Sequence, residues 1–268
     1  ALYGELDDGK VLSDSTMAEL RAALTEDEEA WGIPEYPEAV RRTLEVRAMA
    51  NGGTGTPYER LLSVLGGVTE KFRDARLVEE VVYRSVMDYA RQKGIEDAAE
   101  MDSVFRRTVV RPDYAAAYER AYAANRRLFR GEPAVAFTFE DREGRRVSLS
   151  DFRGRYVFID LWATWCGPCN AEIPALRELE REFEGRNIVF VGISCDGDRE
   201  SWERFLDRNP MGGTQLFMGD DRSYMDSIQC EGIPRFLLVD REGRFVNANM
   251  SRPSDPATAA TLRALPGM

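Results

Sequence analysis

Histidine is absent from all 268 residues. Ser-His-Asp and Cys-His catalysis, His-ligated zinc and His-ligated haem each need an imidazole, so all are excluded. Proton handling falls to carboxylates, cysteines or water. No stretch approaches the roughly 20 apolar residues of a membrane span. Positive charge is in deficit: 36 Lys and Arg stand against 47 Asp and Glu, and the net charge of −11 is shared almost evenly by the two halves. Such a surface repels nucleic acid and anionic membranes, and neither is expected as a partner. Cysteine is missing from the first half; Cys166, Cys169, Cys195 and Cys230 all lie in the second. The chain opens at Ala1 with neither Met nor a charged-then-apolar leader, which reads as a processed or trimmed form and leaves localisation to be argued from elsewhere.

What is present suffices for real cores, with 43 % hydrophobic residues, and the length suits two domains. Residues 1–130 read as an all-α domain. Thr16 and Glu19 form a capping box ahead of the stripe Met17, Leu20, Ala23 and Leu24, Pro34 and Pro37 stop or restart helices, and "NGGTGTP" at 51–57 is a break. Leu77, Val78, Val81, Val82, Val86 and Tyr89 recur at helical spacing and stop at Gly94. Tyr114, Tyr118 and Tyr122 are four apart, the spacing of a face packed on neighbouring elements.

From Gly131 the texture changes. "AFTFEDREGRRVSLSDFRG" alternates around Glu143-Gly144 as a hairpin does. Tyr156–Trp162 and Ile188–Ile193 are apolar on both faces, which predicts buried parallel strands between helices. "RFLLVD" and "RFVNAN" form an antiparallel pair, and Asp255 caps a short last helix. Residues 131–268 therefore predict an α/β domain in the order β hairpin, βαβ, ββα.

Within it stands "WATWCGPCN", residues 162–170. A zinc half-site would need ligand pairs that isolated Cys195 and Cys230 do not supply. A structural disulfide closing so short a loop would add little stability. The third reading is a reactive dithiol. Cys166 follows a strand, and a helix beginning near Gly167 and Pro168 aims free amides and a positive dipole end at its sulfur. That favours the thiolate, the form that attacks disulfides. Cys169, one turn on, is expected to be the more buried and to resolve the mixed disulfide. Asp160, inside the apolar strand, would be pushed towards neutrality by desolvation and is the candidate base; Glu172 is the other.

"FIDLWATWCGPCNAEIP" resembles the active-site segment of the thioredoxin superfamily, over residues 131–268. Asp160 matches the buried aspartate of thioredoxins and Pro174 their helix-kinking proline. Glu172 matches the carboxylate of the TlpA and ResA type of thiol-disulfide oxidoreductase. "GIPRF" is similar to the family's cis-proline loop, making Pro234 the expected cis residue. The 65 residues from Cys169 to Pro234 leave room for the strand and helix these proteins insert. The N-terminal half resembles extensions on TlpA-like proteins of Bacteroidetes-type bacteria.

The resemblance implies a thioredoxin-like domain with a central mixed sheet flanked by helices. It implies catalysis by Cys166, Cys169, Asp160 and Glu172, and substrate contact through Trp165, Gly167, Pro168, Ile233 and Pro234, with Trp162 packed inside. No cofactor or metal is implied; the redox group is the Cys166–Cys169 pair. Partners would be disulfides of extracytoplasmic proteins and an upstream electron donor, in the periplasm or cell envelope, with any membrane anchor outside this chain. The Gly-Pro dipeptide resembles the reductase form of the motif. By the same likeness Cys230 lies at the sheet edge where Cys195 ends its strand; a Cys195–Cys230 disulfide and two buried thiols both stay open. Arg235, where thioredoxins often carry Thr, reads as a solvated arginine or a contact for an acidic partner. Two other functions stay in play: a peroxiredoxin-like peroxidase, against which stand Ala163 and the adjacent Cys169, and a redox-sensitive, chaperone-like binding module.

Overall fold

The computed structural model describes residues 30, 33–50, 56–96 and 98–268. The capping box at Thr16 and Glu19 and most of the 51–57 loop lie outside them. The chain divides into two compact units, residues 1–123 and 124–268.

The first unit is helical: α1 (Tyr36–Ala50), α2 (Pro57–Lys71), α3 (Ala75–Lys93), α4 (Ala99–Thr108) and α5, which runs from Pro112 to Arg126. The starts of α2 and α3 have local causes. The Thr56 hydroxyl accepts the Glu59 amide while the Glu59 carboxylate accepts the Thr56 amide, closing the box that opens α2. Asp74 accepts the amides of Arg76 and Leu77 at the start of α3. Gly94, at φ 78°, ends α3 in a conformation that favours glycine. Leu77, Val81, Val82 and Val86 of α3 are fully buried, and Leu44 of α1 and Leu65 and Val68 of α2, two helices in contact with α3, are buried too. The tyrosine stripe of α5 packs as its spacing predicts: Tyr118 stacks on Phe105 at 4.0 Å and Tyr114 on Tyr83 at 3.7 Å between ring centroids.

The second unit is a seven-stranded mixed sheet in the order β2-β1-β5-β4-β3-β6-β7. In chain order the strands are β1 (Thr138–Glu140), β2 (Arg146–Ser148), β3 (Tyr156–Trp162), β4 (Ile188–Ser194), β5 (Thr214–Phe217), β6 (Arg235–Val239) and β7 (Phe245–Met250). The helices are α6 (Gly167–Glu182), α7 (Arg199–Arg208), α8 (Ser223–Ser227) and α9 (Pro256–Arg263). β3 and β4 are parallel, β4 and β5 are parallel, and β6 runs antiparallel to β3 and β7. This is the thioredoxin-like layout the sequence implied, including the strand and helix β5 and α8 inserted before Pro234.

Alternation along β3 assigns its faces. Tyr156 and Phe158 pack with Leu176, Leu179 and Leu262 from α6 and α9. Val157, Ile159 and Leu161 pack with Trp202, Leu206, Tyr224 and Met225 from α7 and α8. Asp160 shares the first face. Both hairpins are organised by an aspartate: Asp141 accepts the amides of Glu143 and Arg145, and Asp240 those of Glu242 and Arg244. No helix among the described residues is long and apolar enough to cross a membrane.

One buried carboxylate holds the helical unit's last turn in place. Glu79, 6 % exposed, accepts the amides of Val110 and Arg111 at 2.7 and 2.6 Å, just ahead of α5. Glu79→Ala leaves these donors without a partner and should lower stability by about 2 kcal/mol. Urea unfolding followed by far-UV circular dichroism reads this; a loss below about 0.5 kcal/mol would show that water replaces the carboxylate freely.

Candidate active site

Three strand ends converge on the dithiol. β3 pairs with β4 through Trp162 opposite Ser194, and with β6 through Leu161 opposite Arg235. Cys195 therefore lies beside Ala163, its amide donating to Trp162 O at 2.7 Å, and Pro234 lies beside Trp162, one step before β6. The Ile233–Pro234 peptide is cis.

The loop from β3 to α6 is held by a network that sequence reasoning did not find. Asp196 accepts the Thr164 amide at 3.2 and 3.1 Å, the Thr164 hydroxyl at 2.8 Å and the Ser194 hydroxyl at 2.7 Å. Asn170 donates to Thr164 O at 3.0 Å, closing the loop onto α6. "SCDGD" offered an acidic residue directly after the strand, but its partner is 32 positions away in the chain and no local pattern joins them.

Cys166 is the N-cap residue of α6 and forms a disulfide with Cys169; its sulfur accepts the Cys169 amide at 3.2 Å. The helix thus directs an unsatisfied amide at the sulfur where its dipole is positive. The two cysteines are equally buried, at 4 % and 5 % exposed, which corrects the expectation of a more buried Cys169. The capping geometry folds Cys166 inward, and both join the apolar cluster of Trp162, Ala163 and Ile193. Trp165 stands out at 67 % exposed, Gly167 and Pro168 are exposed, and Trp162 is buried. Ile233 packs against the cluster that contains both cysteines.

Asp160 is 7 % exposed and its Oδ1 has no hydrogen-bond partner. Burial, reinforced by the charges of Glu172 and Glu180, pushes its carboxyl up to about 8. Glu172 is also buried, at 6 %, and not on an exposed helix face. With Cys169, Leu176 and Leu179 it forms the sheet-facing stripe of α6. Its two oxygens accept the backbone amide and the hydroxyl of Ser254, both at 2.9 Å, and Arg252 stands 3.8 Å away. These partners escaped the sequence reading, because "SRPSDP" carries no signal beyond a turn.

Cys195 and Cys230 are free and buried, so the disulfide that the sequence left open is not formed. Their sulfurs are turned to different carbonyls: Cys230 Sγ donates to Gly232 O at 3.1 Å and Cys195 Sγ lies 3.9 Å from Ile193 O. Burial pushes the Cys195 thiol up to about 12 and raises that of Cys230, which keeps both protonated and unreactive. Arg235 is half-buried, which corrects the reading of a solvated arginine. Its Nε donates to Ala248 O on β7 at 3.0 Å, and burial lowers its proton affinity.

The fold and the N-capping dithiol define a thioredoxin-like redox protein. The profile of the AhpC/TSA family matches residues 130–247. Thiol-disulfide oxidoreductase ResA of Bacillus cereus is 30 % identical over 132 residues, covering 48 % of this chain and 74 % of that protein. ResA of Bacillus subtilis is 26 % identical over 48 % of this chain and 72 % of its own length. A crystal structure of a Bacteroides vulgatus protein assigned to the thiol-disulfide oxidoreductases is 39 % identical, covers 51 % of this chain and 96 % of that one, and has a TM-score of 0.49. On the strength of the Bacillus cereus relative, this chain belongs to the ResA-like thiol-disulfide oxidoreductases. Each of these likenesses spans about half of the chain.

Asp160 sets a pH dependence of stability. Its folded value of about 8 lies above the ordinary 3.8, so between about pH 4 and pH 8 the folded protein keeps a proton that the unfolded chain releases. This stabilisation is whole below pH 4 and is lost as pH rises through the window, at up to about 1.4 kcal/mol per pH unit. Asp160→Asn should therefore melt progressively above the native protein as pH rises from about 5 to about 8. A constant melting difference across that range would place the carboxyl in a solvated setting.

Proposed function

We propose that the protein reduces disulfides of extracytoplasmic proteins by dithiol–disulfide exchange. The observation that carries this is a cysteine pair with its first sulfur at the leading amides of α6. In the reduced state the Cys166 thiolate attacks one sulfur of a substrate disulfide. A Cys166–substrate disulfide forms and the other substrate sulfur leaves as thiolate. Asp160 then takes the proton of the Cys169 thiol. The Cys169 sulfur attacks Cys166 Sγ, which closes the Cys166–Cys169 disulfide and releases the second substrate thiolate. Two electrons have passed to the substrate, and an external dithiol donor returns them by the same exchange in reverse.

Residues around the pair suit a polypeptide substrate. Exposed Trp165 supplies apolar area with a polar edge, and Gly167, Pro168, Ile233 and Pro234 complete the receiving surface. Asp160 suits the base because a carboxyl near neutrality both accepts and returns a proton at working pH. The cell-envelope location and the electron donor rest on the kinship with ResA proteins.

Insulin-disulfide reduction with dithiothreitol as donor tests the reading. Cys166→Ser should abolish turnover, and Cys169→Ser should remain covalently attached to its substrate, seen as a band that disappears on reduction. Equal rates for the native chain and Cys166→Ser would instead favour a binding module. Asp160→Asn should slow turnover near neutral pH by about a hundredfold, the lower range of acid–base contributions. Unchanged pH dependence in that variant would remove Asp160 from the reaction.

A further inference from the structure

Glu172 is held from far along the chain. Ser254 lies 82 positions away, on the loop between β7 and α9, yet donates to both Glu172 oxygens. That loop has its own fastening. Thr258, fully buried, donates to Arg252 O at 2.7 Å and pairs with the Ser251 hydroxyl at 2.6 Å, while Asp255 accepts the Ala257 amide at the start of α9. Ser254 is therefore presented by a fixed turn. Two donors from one residue, one to each oxygen, fix a carboxylate in position and orientation alike.

The held carboxylate lies on the stripe of α6 that covers the Asp160 face of β3. The ionisable groups acting on Asp160 there are Glu172 and Glu180 of α6, and Asp160 in turn acts on Cys195 beyond β4. Arg252 reaches Glu172 from the loop, and Arg177 acts on Glu180. From β6 the residue opposite Asp160 is Phe236, which is apolar. The orientation of Glu172 is thus a variable that Ser254 controls.

We propose that Ser254 is a positioning residue for the exchange reaction: by donating to both oxygens of Glu172 it fixes that carboxylate on the stripe of α6 that covers Asp160, the proposed base for Cys169. This rests on the proposed role of Asp160. With the hydroxyl removed, Glu172 keeps one donor and can turn towards solvent. Its negative charge then bears less on Asp160, which releases its proton at lower pH.

The test is the pH profile of kcat and KM for insulin reduction by the full chain, from about pH 5 to about pH 9. Ser254→Ala should move the rising limb of kcat to lower pH by about half a unit, an increase of about threefold on the limb, with KM unchanged. Ser254→Thr, which keeps the hydroxyl, should restore the native limb. Glu172→Gln should shift the limb the same way, and adding Ser254→Ala to it should shift it no further. A limb that Asp160→Asn abolishes but Ser254→Ala leaves in place overturns the clamp alone. So does a shift that simply adds to that of Glu172→Gln. A limb that persists in Asp160→Asn overturns the base, and the clamp with it. Melting curves of each variant separate loss of fold from a moved limb.

Discussion

A sulfur at the start of a helix faces amide hydrogens that the helix cannot satisfy from within. Much of the second unit maintains that encounter. β3 has to end at Trp162 for Cys166 to take the capping position, and the parallel pairing with β4 together with the antiparallel pairing with β6 fixes where it ends. Asp196 then grips the intervening turn through Thr164, so the sulfur meets the helix from one direction. The same N-terminal geometry that starts α6 prepares the proposed nucleophile.

The strand that leads to the dithiol also carries the reverse condition, a carboxyl in a dry place. Desolvation and two neighbouring acids disfavour ionised Asp160, and its Oδ1 has no donor to offset this. A purely structural position would carry an apolar residue there, as the rest of β3 does. The strain is tolerated because the surrounding layers are well packed. Phe158, Leu176, Leu179 and Leu262 close one face and the larger cluster about Trp202 the other. Fold stability and the proposed proton transfer thus compete at a single residue.

The layout of the second unit was legible because its signals are local: apolar runs for β3 and β4, turn chemistry at Gly144, and the Cys-Gly-Pro-Cys spacing. Asp160 could be read as buried from its place in an apolar run. The partners of Glu172 could not, since a hydrogen bond spanning 82 positions leaves no trace in a local pattern. Arg235 misled for a related reason. Its charge suggests solvent, whereas the strand position facing β7 offered a carbonyl at the right distance. The capping role of Glu79 was invisible too, because it looks like any acidic residue on a helix until the α4–α5 connection folds over it.

Cys195 and Cys230 share the cluster of the exchanging pair, yet burial holds their thiols protonated. The molecule thereby carries its own internal standard for oxidation state. After denaturation a maleimide finds two thiols when the Cys166–Cys169 bond is closed and four when it is open. Cys195 and Cys230 supply the fixed two-thiol baseline of that count, so the state of the pair is read without a second probe.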